Sequence, residues 1–242
     1  MSVKETSVQR LVRGPKQPSY GHSIASARYE SVRPLRMDEY DRTRLLLQWV
    51  GTHKRVLEVG CSTGYMSKLM VERNCIVTGI EIDPKAAECA RRHCREVHIR
   101  DLNALDWMVG LSPRTFDVVL FGDVLEHLID PAGILLAVRQ LLNSDGSLVV
   151  SLPNVVHWMT RFKLLCGRFD YESCGTLDHT HLRFFTVRTS RELLWRTGYS
   201  ISRFHPAIGG RMSGHLRPAW QCLANLMPGL FAFQLLFQAK PV

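Results

Sequence analysis

No C-x-x-C pair occurs in the chain, although it holds seven cysteines: Cys61, Cys75, Cys89, Cys94, Cys166, Cys174 and Cys222. Their odd number and scatter argue against a zinc cluster or a closed disulfide framework and predict free thiols in a reducing compartment. No apolar run approaches the roughly 20 residues that a membrane-spanning helix takes. The longest late stretch, 229–236, is interrupted by Gln234. No apolar segment follows the first basic residues, so no secretory signal peptide is expected. Internal repeats and low-complexity tracts are also missing, which excludes solenoid and fibrous architectures. These absences predict a soluble, cytoplasmic protein with no membrane span.

Acidic residues are the scarce charge: 22 against 31 basic ones, a net charge of +9. Within residues 1–36, Lys4, Arg10, Arg13, Lys16, Arg28, Arg33 and Arg36 face only Glu5 and Glu30. More than half of the surplus therefore sits in a segment with few large apolar residues. A basic surplus speaks to partners and solubility, not to fold. Its placement suits a partly mobile or lid-forming segment over residues 1–36 and does not by itself argue for a nucleic-acid partner. The whole chain is 45% hydrophobic and 22% charged, and the remainder is long enough for one domain over residues 37–242.

Short apolar runs alternate with helical patterns. Strands are expected at 55–59, 75–80, 97–99, 116–121 and 147–152. Helices are expected at 66–73, from Asp83-Pro84 through His93, and from Asp130-Pro131 through Leu142. Asp83 suits a helix cap and Pro84 the first helical position. Asn143-Ser144-Asp145-Gly146 reads as a turn. Thr189-Ser190-Arg191-Glu192 reads as a capping box before a helix that stops at Gly198. Weaker strands are expected at 199–204 and 230–239, with a short helix near 220–226 between them. Alternating strands and helices imply right-handed crossovers and an α/β fold with a parallel sheet covered on both faces. An insertion is expected at about 154–188, after the fifth strand.

Glu58-Val59-Gly60-Cys61-Ser62-Thr63-Gly64 ends the first strand and opens a helix. Glycines there let a ligand approach the backbone at a helix N-terminus. The string is not the G-x-G-x-x-G of a dinucleotide fold. Glu81 ends the next strand about 20 residues on, where a carboxylate can accept both ribose hydroxyls. The arrangement calls for a nucleoside, whereas the glycine spacing disfavours a pyrophosphate.

On these residues the chain resembles the class I S-adenosylmethionine-dependent methyltransferases, whose turn is acidic-x-Gly-x-Gly-x-Gly. Here Ser62 stands at the middle glycine. The resemblance implies a Rossmann-like, doubly wound sheet of seven strands, mostly parallel with the last strand antiparallel. It implies that Glu58, Gly60, Cys61, Ser62, Gly64 and Tyr65 surround the methionine moiety of the cofactor. Glu81 and Ile82 would then serve the ribose side and Asp101 with Leu102 the adenine, while Gly122 and Asp123 close the site from the fourth strand.

Methyl transfer from a sulfonium leaves the protein to position an acceptor and dispose of its proton. Asp123, Glu126 and His127 fall at i, i+3 and i+4, one face of a helical turn. His179 and His181, beside Asp178, form a second polar group in the insertion. These five residues (Asp123, Glu126, His127, His179 and His181) are the catalytic candidates. Asp123-Val124-Leu125-Glu126-His127 resembles the E-x-x-E-H of ubiquinone-type O-methyltransferases and small-RNA 2′-O-methyltransferases. On that analogy Asp123, Glu126, His127 and His181 would hold a divalent metal, although Asp123 is one methylene shorter than the family's glutamate. Leu152-Pro153-Asn154 and Asp178 to Thr186 resemble bacterial natural-product and polysaccharide tailoring methyltransferases. That longer match carries more weight, and the metal is not favoured.

Blander roles stay open at several of these positions. His127 can pack under the adenine-side loop, His179 can be a surface residue, and His181 can fasten the insertion to the core. His157 and Trp158 suit a pocket wall, Arg183 an ion pair with an acid, and Tyr20, Tyr29 and Tyr40 a lid. The leading expectation is methyl transfer to an oxygen of a small molecule. Neither an N/D-P-P-Y string nor a Pro-Cys pair after a strand occurs, which argues against methylation of DNA bases. The rivals are a metal-dependent RNA 2′-O-methyltransferase and a non-catalytic nucleoside-binding protein. The oligomeric state is open, a homodimer included.

Overall fold

The β-branched and aliphatic runs of the sequence form the centre of a seven-stranded sheet. A computed structural model of the chain describes residues 42–113, 115–209 and 216–242. The basic segment 1–36 and Tyr20, Tyr29 and Tyr40 lie outside the described residues. Helix α1 (Arg42–Val50) precedes β1 (Arg55–Val59), α2 (Tyr65–Val71), β2 (Ile76–Glu81), α3 (Pro84–Ala90) and β3 (Glu96–Ile99). Next come β4 (Phe116–Gly122), a 3-10 turn (Leu125–His127), α4 (Pro131–Val138) and β5 (Leu142–Pro153). The chain continues through α5 (Trp158–Leu165), α6 (Val187–Arg196), β6 (Tyr199–Ala207), α7 (Arg217–Leu226), α8 (Pro228–Phe231) and β7 (Gln234–Pro241). Among the described residues, no helix is long and apolar enough to cross a membrane.

The sheet order is β3-β2-β1-β4-β5-β7-β6. β7 runs antiparallel to both of its neighbours, and the pairs among β1 to β5 are parallel. This is the Rossmann-like sheet expected from the sequence, with α5 in the insertion after β5. The central strands look uniformly apolar because both faces are covered, yet successive residues still enter different cores. Leu57, Val59, Val119, Phe121, Leu148 and Val150 join α4 and α6 on one face. Val56, Val118, Leu120 and Val149 meet Leu46, Leu47 and Met70 on the other. Each such fully buried side chain contributes about 1.5–3 kcal/mol of apolar burial. The chain order reverses between β1 and β4, and an open α/β sheet binds ligands in the crevice at that switch point.

Several local expectations are corrected. Asn143 to Gly146 do not end a helix in a turn; they belong to β5, whose register with β4 jumps between the Phe116–Leu142 and Val118–Ser147 pairs. Asn143 donates from its amide to Asp117 at 2.6 Å, which fixes the bulge. The cap of α6 is Thr186, not Thr189: Thr189 N donates to the Thr186 hydroxyl, and the Thr189 hydroxyl receives Thr186 N. Both α3 and α4 end earlier than expected. Asp83 does cap α3, accepting from Lys85 N at 2.9 Å. The strand expected from 230 instead starts at Gln234, after α8. Asn154, fully buried, donates to the carbonyls of Gly229 and Ala232 and so pins α8 against the end of β5.

Candidate active site

At the end of β1 the backbone turns through left-handed conformations at Gly60 (φ 70°), Ser62 (φ 48°) and Gly64 (φ 81°). Glycine is required twice, on both torsion and space. A Cβ on Gly60 would lie 2.6 Å from Val124, and one on Gly64 would lie 2.8 Å from the Ala90 backbone. Ser62 occupies by exception a torsion that favours glycine. Gly60 N and Cys61 N both donate to Ile80 O, stitching the turn to β2. Tyr65 opens α2 immediately beyond it.

Glu81, at the C-terminal end of β2, faces this turn. One carboxylate oxygen accepts from Ser62 N at 2.7 Å, and the other accepts from Ile82 N and Asp83 N at 2.9 Å. The next side chain, Ile82, is 47% exposed. Asp101 is exposed after β3 and accepts from Asn103 N, whereas Leu102 is buried in the main core. Gly122 ends β4 with open space where a Cβ would stand.

Two residues named on the turn point elsewhere. Cys61 places its thiol in a small core with Ala87, Ala90 and Val97. Glu58 is buried and receives a hydrogen bond from Ser67. Burial pushes its carboxyl up to about 8.

The residues after β4 do not share one helical face. Asp123 is left-handed (φ 60°), and the 3-10 turn begins only at Leu125. Asp123 is held instead by the Arg42 guanidinium, by the Ser151 hydroxyl at 2.5 Å and by the Gln234 amide at 3.5 Å. Among the described residues, the group whose ligand atoms lie together does not include it. Glu126, His127 and His181 do come together: one ligand atom from each lies within 4.8 Å of the others. Both Glu126 carboxylate oxygens are buried and have no hydrogen-bond partner among the described residues. Burial, then the charge of Asp123, holds this carboxyl well above the usual carboxylate range.

The insertion delivers His181. Asp178 accepts from Thr180 N and the Thr180 hydroxyl, closing a tight turn. Leu182 N and Arg183 N then donate to the Glu126 carbonyl at 2.8 and 2.9 Å, docking one motif on the other. Among the described residues Arg183 pairs with no acid; its guanidinium donates to the carbonyls of Ile129 and Leu182. His181 Nδ1 lies 3.2 Å from Thr176 O, and His127 Nδ1 lies 3.1 Å from Thr180 O. A carbonyl only accepts, so each Nδ1 donates, and in the neutral ring Nε2 is the acceptor. Burial, then His127, lowers the basicity of His181. The two rings meet edge to face at 4.8 Å. His179 stands outside this cluster, exposed, with Nδ1 on Glu172 O. His157 caps α5 by accepting from Met159 N.

Sequence reasoning missed Arg42, Ser67 and Ser151. Only Ser151 carried a signal, because the register of two adjacent parallel strands sets it opposite Gly122.

The family described as "Methyltransferase domain" matches residues 29–203. "Ubiquinone biosynthesis O-methyltransferase" of Idiomarina loihiensis is 31% identical over 137 residues, covering 54% of this chain and 55% of that protein. Its namesake from Histophilus somni is 34% identical over 110 residues, covering 43% and 46%. The chain thus spans about half the length of these curated relatives. A SAM-dependent methyltransferase structure from Archaeoglobus fulgidus superimposes with a TM-score of 0.60 at 17% identity, covering 83% of this chain and 92% of that one. The family match takes in β1 to β5, the glycine turn, the histidine cluster and most of β6, so the chain belongs to the methyltransferase-domain family, with the class I fold of S-adenosylmethionine-dependent enzymes.

Proposed function

We propose that the chain transfers a methyl group from S-adenosylmethionine to a hydroxyl oxygen of a small molecule. The cofactor's methionine end fits the left-handed turn from Gly60 to Gly64 and the open space over Gly122. Its ribose fits the Glu81 carboxylate, which is already oriented by three backbone N–H groups. Its adenine fits between Ile82 and the Asp101–Leu102 loop. When bound, the cofactor supplies an electrophilic methyl group, and an acceptor hydroxyl must lose its proton as it attacks.

The proton is the chain's task. The observation that carries the reading is the cluster of Glu126, His127 and His181 directly beyond Gly122, in which both histidines turn Nδ1 to a carbonyl. His127 Nε2 takes the acceptor's proton, and His181, packed edge-on against it, holds its orientation. General-base assistance of this kind contributes about 10²–10⁴-fold. The relatives' name supports oxygen as the acceptor atom. Leu152-Pro153-Asn154 and the Asp178–Thr186 string support a natural-product or sugar-type metabolite. Transfer of labelled methyl from S-adenosylmethionine to a panel of phenols, sugars and an RNA oligonucleotide tests this. Labelling of RNA alone would replace the small-molecule acceptor with a ribose 2′-hydroxyl, and cofactor binding without turnover on any acceptor would remove the catalytic role.

The unpartnered Glu126 oxygens favour a second reading, in which Glu126, His127 and His181 hold a divalent cation that polarises the acceptor hydroxyl. Turnover that survives EDTA assigns proton removal to the histidines. Loss of turnover with EDTA and its return with added Mg²⁺, Mn²⁺ or Zn²⁺ assigns it to the cation.

A further inference from the structure

Beneath the glycine turn lies a pair of thiols for which methyl transfer has no use. Cys61 is 2% exposed, its side chain turned into the small core under α3. Cys94, half-buried just before β3, packs against the same core. Its Sγ donates to the Ser67 hydroxyl at 3.1 Å.

Gly79 of β2 makes the room. A Cβ there would sit 2.6 Å from Cys61 Sγ and 3.4 Å from Cys94 Sγ, so both sulfurs share space that any other residue would fill. The interaction between the two sulfurs lowers the Cys94 thiol to about 7 and, together with burial, pushes Cys61 up. One sulfur is thus a ready nucleophile and its neighbour a resolving thiol.

We propose that Cys61 and Cys94 close a reversible intramolecular disulfide that controls cofactor binding. The oxidant is hydrogen peroxide. The Cys94 thiolate attacks a peroxide oxygen, the O–O bond breaks, and Cys94 becomes a sulfenic acid as the first water leaves. The Cys61 sulfur then attacks the Cys94 sulfur, the S–O bond breaks, and a second water carries away the Cys61 proton. Two thiols have lost two electrons and two protons, and the peroxide has become two waters.

The closed bond, about 2.05 Å long, is far shorter than any contact between two unbonded sulfurs, so Cys61 must shift. Its N–H is bonded to Ile80 O at 3.1 Å and its carbonyl to Gly64 N at 2.9 Å, so the shift is passed directly to the turn. The consequence for binding rests on the reading of that turn as the cofactor site.

The test uses the full chain, treated with hydrogen peroxide, alkylated, digested without reduction and read by mass spectrometry. A Cys61–Cys94 cross-linked peptide is expected, together with roughly tenfold weaker S-adenosylhomocysteine binding that dithiothreitol restores. Cys94→Ser should bind normally before and after peroxide. Cross-links confined to Cys166, Cys174 or Cys222, a Cys94 sulfinic acid without a cross-link, or a cross-link that leaves binding unchanged would each overturn the proposal. Failure of the reduced protein to bind S-adenosylhomocysteine would count against the cofactor reading instead, and the cross-linked peptide is scored independently of it.

Discussion

His181 sets its Nε2 4.0 Å from the Glu126 carboxylate, across 55 residues of chain, and neither oxygen of that carboxylate finds a hydrogen bond among the described residues. Burying an unsatisfied polar group of this kind costs about 1–3 kcal/mol. The expense is tolerated at a site that does chemistry and would be unusual in a purely structural core. Glu126→Leu should therefore make the fold more stable, raising Tm by several degrees, with methyl transfer lost where the cluster holds a cation and retained where the histidines alone remove the proton. The backbone carbonyl that docks Leu182 and Arg183 is retained in this variant. Thermal denaturation and a labelled-methyl assay check the two halves; a lower Tm would mean the carboxylate is paired in solution.

The turn after β1 offers a contrast between two substitutions. Gly64→Ala introduces a left-handed non-glycine residue and a Cβ 2.8 Å from the Ala90 backbone. The torsion alone costs about 1–2 kcal/mol, and the contact adds to it. Ser62→Gly relieves a left-handed serine at φ 48°. Its stability should change by less than about 1 kcal/mol, because the gain is offset by a looser unfolded chain. Calorimetric titration with S-adenosylmethionine should show Gly64→Ala binding weakly and Ser62→Gly binding like the parent. Equal affinities for all three proteins would displace the cofactor from this turn.

Much of this architecture was legible because fully buried parallel strands are continuous apolar runs stopped by glycine or by a cap. The cores of β1, β2 and β4 could be placed in this way, and Asp83-Pro84 marked the start of α3 by its own chemistry. Asn143 to Gly146 misled because the residues that favour a turn also suit a bulge, and only Asp117 on the neighbouring strand decides between them. Asp123 misled because its spacing to His127 matches a helical face only if the backbone is helical, and a single left-handed residue breaks that periodicity. The pairing of Glu126 with His181 and of Arg42 with Asp123 spans long loops. Such contacts leave no trace in local pattern, although the resemblance to other families had drawn Glu126 and His181 into one candidate set.

Glu58 gives stability a pH dependence whose sign can be worked out. Its carboxyl is raised by burial from the ordinary 4.5 to about 8 in the fold. Between these values the folded chain holds the proton and the unfolded chain does not, so stability falls as pH rises. The contribution is fully present below about 4.5 and lost as pH passes through about 8. Glu58→Gln should flatten this part of the Tm–pH curve while leaving the bond from Ser67 an acceptor. If the wild-type and variant curves stay parallel from pH 5 to pH 8, the carboxyl is ionised throughout.

The ion pair between Arg42 and Asp123 links the first turn of α1 to the end of β4, where the Ser151 hydroxyl also holds the carboxylate. Asn tolerates the left-handed torsion as well as Asp does, so Asp123→Asn removes charge without adding backbone strain. Arg42→Met keeps much of the side chain's length and apolar stem. The Arg42 side chain is 38% exposed and that of Asp123 21%, so solvent screens the pair and its coupling should be about 1 kcal/mol. A double-mutant cycle by chemical denaturation measures it, and raising the salt concentration should shrink it. Removing the Asp123 charge also takes away part of what disfavours ionisation of Glu126. Asp123→Asn should therefore change methyl transfer more than Arg42→Met does at equal loss of stability. Matching losses of activity in the two variants would reduce the pair to a scaffold that acts only by positioning the end of β4.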